Sequence, residues 1–124
     1  MMEFDSYPGM VNTRGYTAKQ AFKSVDKGWR HLVRVALKYK PVDVRIIQVK
    51  EKFGTLRIYF EPYDPAYNVV TNTLNAVSGY ICEWCGNIGS LDKRYMYVLT
   101  LCPSCKILRT QKKEEMYKDS DVVI

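Results

Sequence analysis

Four cysteines stand in two tight pairs, Cys82-Glu-Trp-Cys85 and Cys102-Pro-Ser-Cys105, with sixteen residues between the pairs. No other cysteine occurs in the 124 residues. The pattern C-x2-C-x16-C-x2-C falls within the spacing of a zinc site. Zn²⁺ takes four soft or borderline ligands in a tetrahedron, with Zn–S bonds of about 2.3 Å. Two residues between cysteines let both thiolates of a pair turn toward one ion, and a second pair returned by a hairpin closes the shell. Cys82, Cys85, Cys102 and Cys105 are therefore the expected metal ligands. A four-thiolate shell is closed, whereas a catalytic zinc keeps a position open for water. The expected ion is structural.

Other uses of four cysteines compete with this one. Two disulfides need an oxidising compartment, and Met1 to Gly15, with Glu3, Asp5 and Pro8, has no apolar run of the signal-peptide kind. A thioredoxin-like motif needs one C-x-x-C near a βαβ pattern, not two spaced pairs. An iron–sulfur centre uses the same thiolates. With no export signal and no apolar run near the roughly 18 residues of a membrane span, the expected workplace is the cytoplasm.

The remaining sequence predicts an α+β fold. Thr17 and Gln20 form a capping-box pair ahead of a helix expected to run to about Tyr39. Phe22, Val25, Trp29, Leu32, Val33, Ala36 and Leu37 recur at helical spacing, while Lys19, Lys23, Lys27, Arg30, Arg34 and Lys38 project from another side. Gly28 interrupts this stretch and suggests a close packing contact. Lys40-Pro41 ends it. A β-hairpin follows: Val42, Val44, Ile46 and Gln48 share one side of the first strand, Leu56, Ile58 and Phe60 one side of the second, and Gly54 supplies positive φ in the connection Lys50 to Gly54. The adjacency of Ile46 and Ile47 suggests cover on both faces. A second helix is expected from Asp64 or Pro65 to Tyr80, with an apolar stripe of Val70, Leu74, Val77 and Ile81. Its opposite face, Thr71, Asn72, Asn75 and Ser78, is uncharged, a hint that it is covered.

Beyond Tyr80 the expected order is knuckle, hairpin, knuckle, helix. Asn87 to Asp92 is predicted as turn, Tyr95 to Leu101 as strand, and Lys106 to about Tyr117 as helix. Thiolates at a helix N-terminus are stabilised by its unpaired N–H groups. This order resembles a treble-clef zinc finger, with a zinc ribbon as the alternative. The chain thus divides into an N-terminal segment (1–15), a helix–hairpin–helix core (16–79), a four-cysteine finger (80–117) and a flexible tail (118–124).

Charge suggests the kind of partner. The net charge is +6, and it is uneven. Arg14 to Lys52 carries +8 and Lys93 to Lys118 carries +5, around a middle segment of −3. Two basic blocks point to an anionic partner, nucleic acid being the commonest, although a solvated surface gives the same pattern. The expected contact residues are Lys23, Lys27, Arg30, Arg34, Arg94, Lys106, Arg109, Lys112 and Lys113. For Lys93, Arg94, Lys106 and Arg109 there is a competing role: offsetting the −2 of a four-thiolate zinc. Tyr16, Tyr95 and Tyr97 lie among the cations and could stack on bases or simply pack.

Three segments carry a resemblance: Gly28-Trp29 with Leu32-Val33, the run Gln48-Val-Lys-Glu-Lys-Phe-Gly-Thr-Leu-Arg-Ile-Tyr-Phe60, and Cys82-Glu-Trp-Cys85-Gly86 with Leu101-Cys102. Over about residues 22 to 106 the chain resembles a group of small, largely uncharacterised bacteriophage and prophage proteins. The resemblance implies a phage origin, a bacterial host cytoplasm and an accessory role such as modulating a host protein. It supplies no catalytic residue.

An enzyme is not expected. HNH-type nucleases, some of which carry treble-clef sites, need histidines, and this chain has only His31, between the apolar and basic sides of the first helix. No phosphate-binding glycine loop is present. The expectation is a non-enzymatic binder of a macromolecule, nucleic acid first and a host transcription, nucleic-acid-processing or defence protein second. Neither a small-molecule substrate nor a membrane is expected as partner.

Overall fold

The computed structural model describes residues 15–123. All but Gly15 of the predicted N-terminal segment lies outside them. The element order is α1 (Ala18–Lys23), a 3₁₀ turn (Lys27–Trp29), α2 (Arg30–Lys38), β1 (Arg45–Lys52), β2 (Thr55–Glu61), α3 (Pro65–Ser78), β3 (Ser90–Asp92), β4 (Leu99–Leu101) and α4 (Pro103–Val123). The fold is α+β. Two antiparallel hairpins, β1–β2 and β3–β4, form separate two-stranded sheets.

The predicted first helix is broken into three short elements. Its start is as expected: Thr17 Oγ1 accepts from Gln20 N, and Gln20 Oε1 accepts from Thr17 N. The helix then stops at Ser24, whose hydroxyl donates back to Gln20 O. The chain re-enters helix through the 3₁₀ turn because Gly28 is engaged elsewhere. Its N–H donates to Glu83 O at 2.8 Å, and any Cβ at residue 28 would collide with the Cys82 carbonyl. The close contact suggested by Gly28 is thus with the first cysteine knuckle. The bend also means that the six cations from Lys19 to Lys38 are not rungs of one helix. They are shared among α1, the turn and α2, all exposed.

The apolar residues of these helices cover one face of the β1–β2 hairpin. Ala21, Val25, Trp29, Leu32, Val33 and Ala36 join Ile46, Val49, Leu56 and Leu74 in one core. Trp29 is fully buried, and its indole Nε1 donates to Ile81 O at 2.8 Å. The hairpin turn is Phe53-Gly54 alone, with φ of 53° and 80°, as a two-residue type I′ turn requires. The strands therefore continue through Lys50 to Lys52, predicted as loop. A bulge at Ile47 shifts the alternation by one residue. Ile46 and Val49 face the core, whereas Gln48, predicted beside Ile46, is exposed together with Ile47.

Helix α3 begins as predicted, with Pro65 in its first turn and Asp64 Oδ1 accepting from Tyr67 N. Its buried face differs from the predicted stripe. Tyr67, Thr71, Leu74 and Ser78 are buried, and Val77 is exposed. The cause is the open edge of β2. Ser78 Oγ accepts from Leu56 N at 2.8 Å, and Asn75 Nδ2 donates to Leu56 O at 2.9 Å. A polar helix face takes the place of a third strand there, so the uncharged face is the covered one.

In the C-terminal part, Ser90–Asp92 is strand rather than turn, and the returning strand starts only at Leu99. The predicted start at Tyr95 fails because Lys93 to Val98 wraps around a buried carboxylate, described below. Helix α4 passes the predicted end at Tyr117 and continues to Val123. No glycine or proline lies between Lys106 and Ile124 to stop it. Among the described residues no helix is long and apolar enough to cross a membrane.

Candidate metal centre and basic surfaces

The four cysteines converge at the open end of the β3–β4 hairpin, where Ser90 pairs with Leu101. Cys82 and Cys85 sit on a turn closed by Gly86 N donating to Cys82 O and Cys82 N donating to Asn87 O. Gly86 has φ of 87°, a conformation that favours glycine. Cys102 precedes α4, and Cys105 lies in its first turn. The four sulfurs all lie within 4.8 Å of one another, and Cys85 and Cys102 approach to 3.5 Å. A tetrahedron of 2.3 Å bonds sets its sulfurs about 3.8 Å apart, so the cluster fits that shell. All four thiols are free. Three are buried, and Cys85 is exposed.

The thiols are electrically distinct. The Cys105 backbone N–H donates to Cys102 Sγ at 3.4 Å and pulls that thiol down to about 7. Burial pushes the Cys105 thiol up. A divalent cation at the centre would offset the charge of all four sulfurs together. The group can hold a metal ion such as zinc.

Glu83, between two cysteines, is structural. Its carboxylate Oε2 accepts from Thr100 N at 2.8 Å, its own N–H donates to Thr100 O, and its carbonyl receives Gly28 N–H. One residue thus ties the knuckle to β4 and to the core. It is almost fully buried, and burial raises its carboxyl to about 8. Thr100 adds a second tie: its hydroxyl donates to Gly54 O at 2.6 Å.

The nine cations expected at a binding surface do not behave alike. Arg109 is buried. It pairs with Asp92 at 3.2 Å and donates to Tyr97 O. Arg94 is fully engaged too, through Nε and Nη2 to the two Asp92 oxygens, Nη1 to Thr110 Oγ1 and Nη2 to Lys106 O. Asp92 is buried, and hydrogen bonds from Arg94 hold its carboxyl down to about 2. These two arginines serve a carboxylate, Arg94 two residues and Arg109 seventeen residues away. Arg109 is thereby taken off the surface, whereas the Arg94 side chain remains 48% exposed. Lys106 donates to Ser90 Oγ at 2.7 Å. Tyr95 lies under Arg94, Arg109 and Lys113, with the Arg109 guanidinium 4.8 Å from the ring centre. Tyr95 is half-buried, whereas Tyr97 is exposed.

Lys23, Lys27, Arg30, Arg34 and Lys112 remain exposed. Two of them meet. Lys27, from the 3₁₀ turn, and Lys112, from α4, border one open groove of about 320 Å³ with Asp26, Trp84 and Leu108. The Lys112 ammonium stands 5.0 Å above the Trp84 ring. Trp84 was not singled out from the sequence, although an aromatic between two ligand cysteines is a usable signal. No family model, curated protein sequence or solved structure matches this chain.

Proposed function

We propose that the chain is a non-enzymatic, zinc-stapled protein that binds nucleic acid through basic helical surfaces. The observation that carries this reading is the groove at Trp84. Lys27 and Lys112 belong to different basic blocks, yet both stand at its rim beside an aromatic ring. Docking of Gly28 against the first knuckle brings them together. Arg30 and Arg34 extend the positive surface along α2. Lysine and arginine bind a phosphate chain by releasing its counterions, and an aromatic ring adds stacking.

Zinc is the metal this reading takes, because four thiolates in a tetrahedral shell suit it. A treble clef is favoured over a zinc ribbon by the entry of Cys105 into α4 rather than into a strand. His31 is exposed on α2, and the reading assigns it no catalytic part. The resemblance to phage proteins supports an accessory task in a bacterial host cytoplasm.

Salt titration of binding to a labelled duplex, a single strand and an RNA tests the reading. Affinity is expected to fall with a log–log slope of several units, and Lys27→Ala and Lys112→Ala each to reduce the slope by about one. Absence of binding at low salt discards it. The second reading, a host-protein modulator, draws on the finger's exposed apolar side chains, Ile88, Met96 and Tyr97. Such groups suit a protein interface. Affinity purification from infected cells that recovers no stoichiometric host protein counts against it.

A further inference from the structure

The β1–β2 hairpin has a second face, turned away from α1 and α2. Cross-strand register puts Arg45 opposite Glu61, Gln48 opposite Tyr59, Lys50 opposite Arg57 and Lys52 opposite Thr55. The core takes Ile46, Val49 and Leu56 from the other side, so these four pairs make up the outward surface. Arg45 and Glu61 form an ion pair, the arrangement expected where only stability is at stake. Lys50 and Arg57 do the opposite. They are like charges placed directly across from each other, a pairing that destabilises a sheet. Among the described residues no carboxylate lies within ion-pair distance of Lys50, Lys52 or Arg57. Repulsion that is uncompensated among the described residues, on the same face as the compensated Arg45–Glu61 rung and one pair removed from it, marks a surface kept for an anion.

The neighbouring groups narrow the choice of anion. Arg57 Nε donates to Thr55 Oγ1 at 3.1 Å, which steadies the guanidinium while its terminal nitrogens have no hydrogen-bond partner among the described residues. Tyr59 is 40% exposed, with the Lys50 ammonium 5.8 Å from its ring centre. Past Tyr59 the surface turns over the edge of β2, which α3 caps only at Leu56 among the described contacts, into a groove of about 310 Å³, walled on the far side by Thr71, Asn72 and Asn75 of α3. Leu56 turns its backbone toward α3, so Ile58, two residues on, turns its own N–H and C=O the same way. Cations, a stacking ring and an amide-lined groove therefore follow one another across one surface. A phosphate chain with unpaired bases uses all three. A duplex hides its base faces from Tyr59, and an acidic peptide leaves ring and groove idle.

We propose that the outward face of the β1–β2 hairpin, continued over the β2 edge into the groove against α3, is a platform for single-stranded nucleic acid. It shares a ligand class with the reading above but uses none of the same residues, and it lies on the side of the hairpin that the basic helices do not cover.

The test measures binding of the metal-loaded full chain to labelled oligo-dT, oligo-U and a mixed-sequence duplex across a salt series. Tyr59→Ala is expected to weaken single-strand binding about 5- to 150-fold, the loss of one stacked base, and Tyr59→Phe to retain it. Lys50→Gln with Arg57→Gln should lower the single-strand salt slope by about 1.4, near 0.7 for each phosphate contact. Duplex binding should not change in either variant. Unaltered melting temperatures identify variants that fold, and Arg57→Gln alone serves if the pair does not. Single-strand binding that ignores these changes but disappears with Lys27→Ala and Lys112→Ala overturns the platform and leaves the helical reading standing. Equal losses for duplex and single strand also overturn it. No binding of any nucleic acid at low salt overturns both.

Discussion

The core and the finger hold themselves together by different means. Nine buried apolar residues surround Trp29 in the core, drawn from both helices before the hairpin and the link between them, both of its strands and α3. The finger's buried cluster is Cys82, Leu101, Cys102 and Cys105, with Trp84 and Leu99 half-buried beside it. Three of its four buried members are candidate metal ligands. The rest of its interior is polar: Asp92, Arg109, Thr100 and Glu83. A core built from apolar area is stable in proportion to that area. A finger with so little of it has four thiols placed where they could hold an ion, and its buried charges have to satisfy one another.

The largest expected effect tests that contrast directly. Cys82→Ser or Cys105→Ser, or removal of the metal with a chelator, should unfold at least residues 80–117. Zinc contributes about 10–16 kcal/mol apparent in small fingers, against about 5–15 kcal/mol for the net stability of a typical domain. Hydrogen exchange resolved by peptide would show the finger losing protection while α2 and the β1–β2 hairpin keep most of theirs. Protection of 80–117 that survives chelation contradicts the metal-dependent half of the contrast.

A smaller effect probes the polar interior. Asp92→Asn removes the charge that Arg94 and Arg109 share, and it leaves the buried Arg109 guanidinium uncompensated. Breaking a buried pair in this way costs about 3–5 kcal/mol. Thermal melting with metal in excess should show the loss, with faster exchange in the Lys93 to Val98 loop. A stability change below about 1 kcal/mol would mean that the loop is not held by this carboxylate.

The smallest effect lies in the core. Ser78→Ala leaves the Leu56 N–H without its acceptor, a loss of about 1–3 kcal/mol. Chemical denaturation should show a lower midpoint with an unchanged slope. No loss at all would mean that α3 seats on β2 without the hydroxyl.

The same contrast explains which features could be foreseen. The cysteine spacing, the Thr17–Gln20 capping box, Pro65 in the first turn of α3 and Gly54 in the hairpin turn each depend on residues a few positions apart, and each appears where the sequence puts it. What escaped depends on distant partners. The first helix breaks because Gly28 is held by Glu83, 55 residues on. The predicted stripe on α3 is displaced because Ser78 and Asn75 answer the open edge of β2, which hydrophobic periodicity does not register. The bulge at Ile47 reverses a strand alternation that reads evenly through Gln48. In the finger, Arg94 and Arg109 look like two surface cations among many until Asp92 is seen between them. Charge counts leave both arginines open between a partner and an anion of the finger itself, and they miss Asp92 because a buried acid gives no local sign of its burial.

The bond from the Thr100 hydroxyl to the Gly54 carbonyl matters beyond its own energy. It fastens the tip of the first hairpin to the finger, next to Phe53, whose positive φ costs a side-chain-bearing residue about 1 kcal/mol. Sliding one strand by a single residue would turn every side chain of that strand over, sending Leu56 outward and Arg57 into the interior. A tip anchored from outside the ribbon forbids that slide. One threonine beside the four-cysteine cluster thereby guards the orientation of charge in the half with the apolar core.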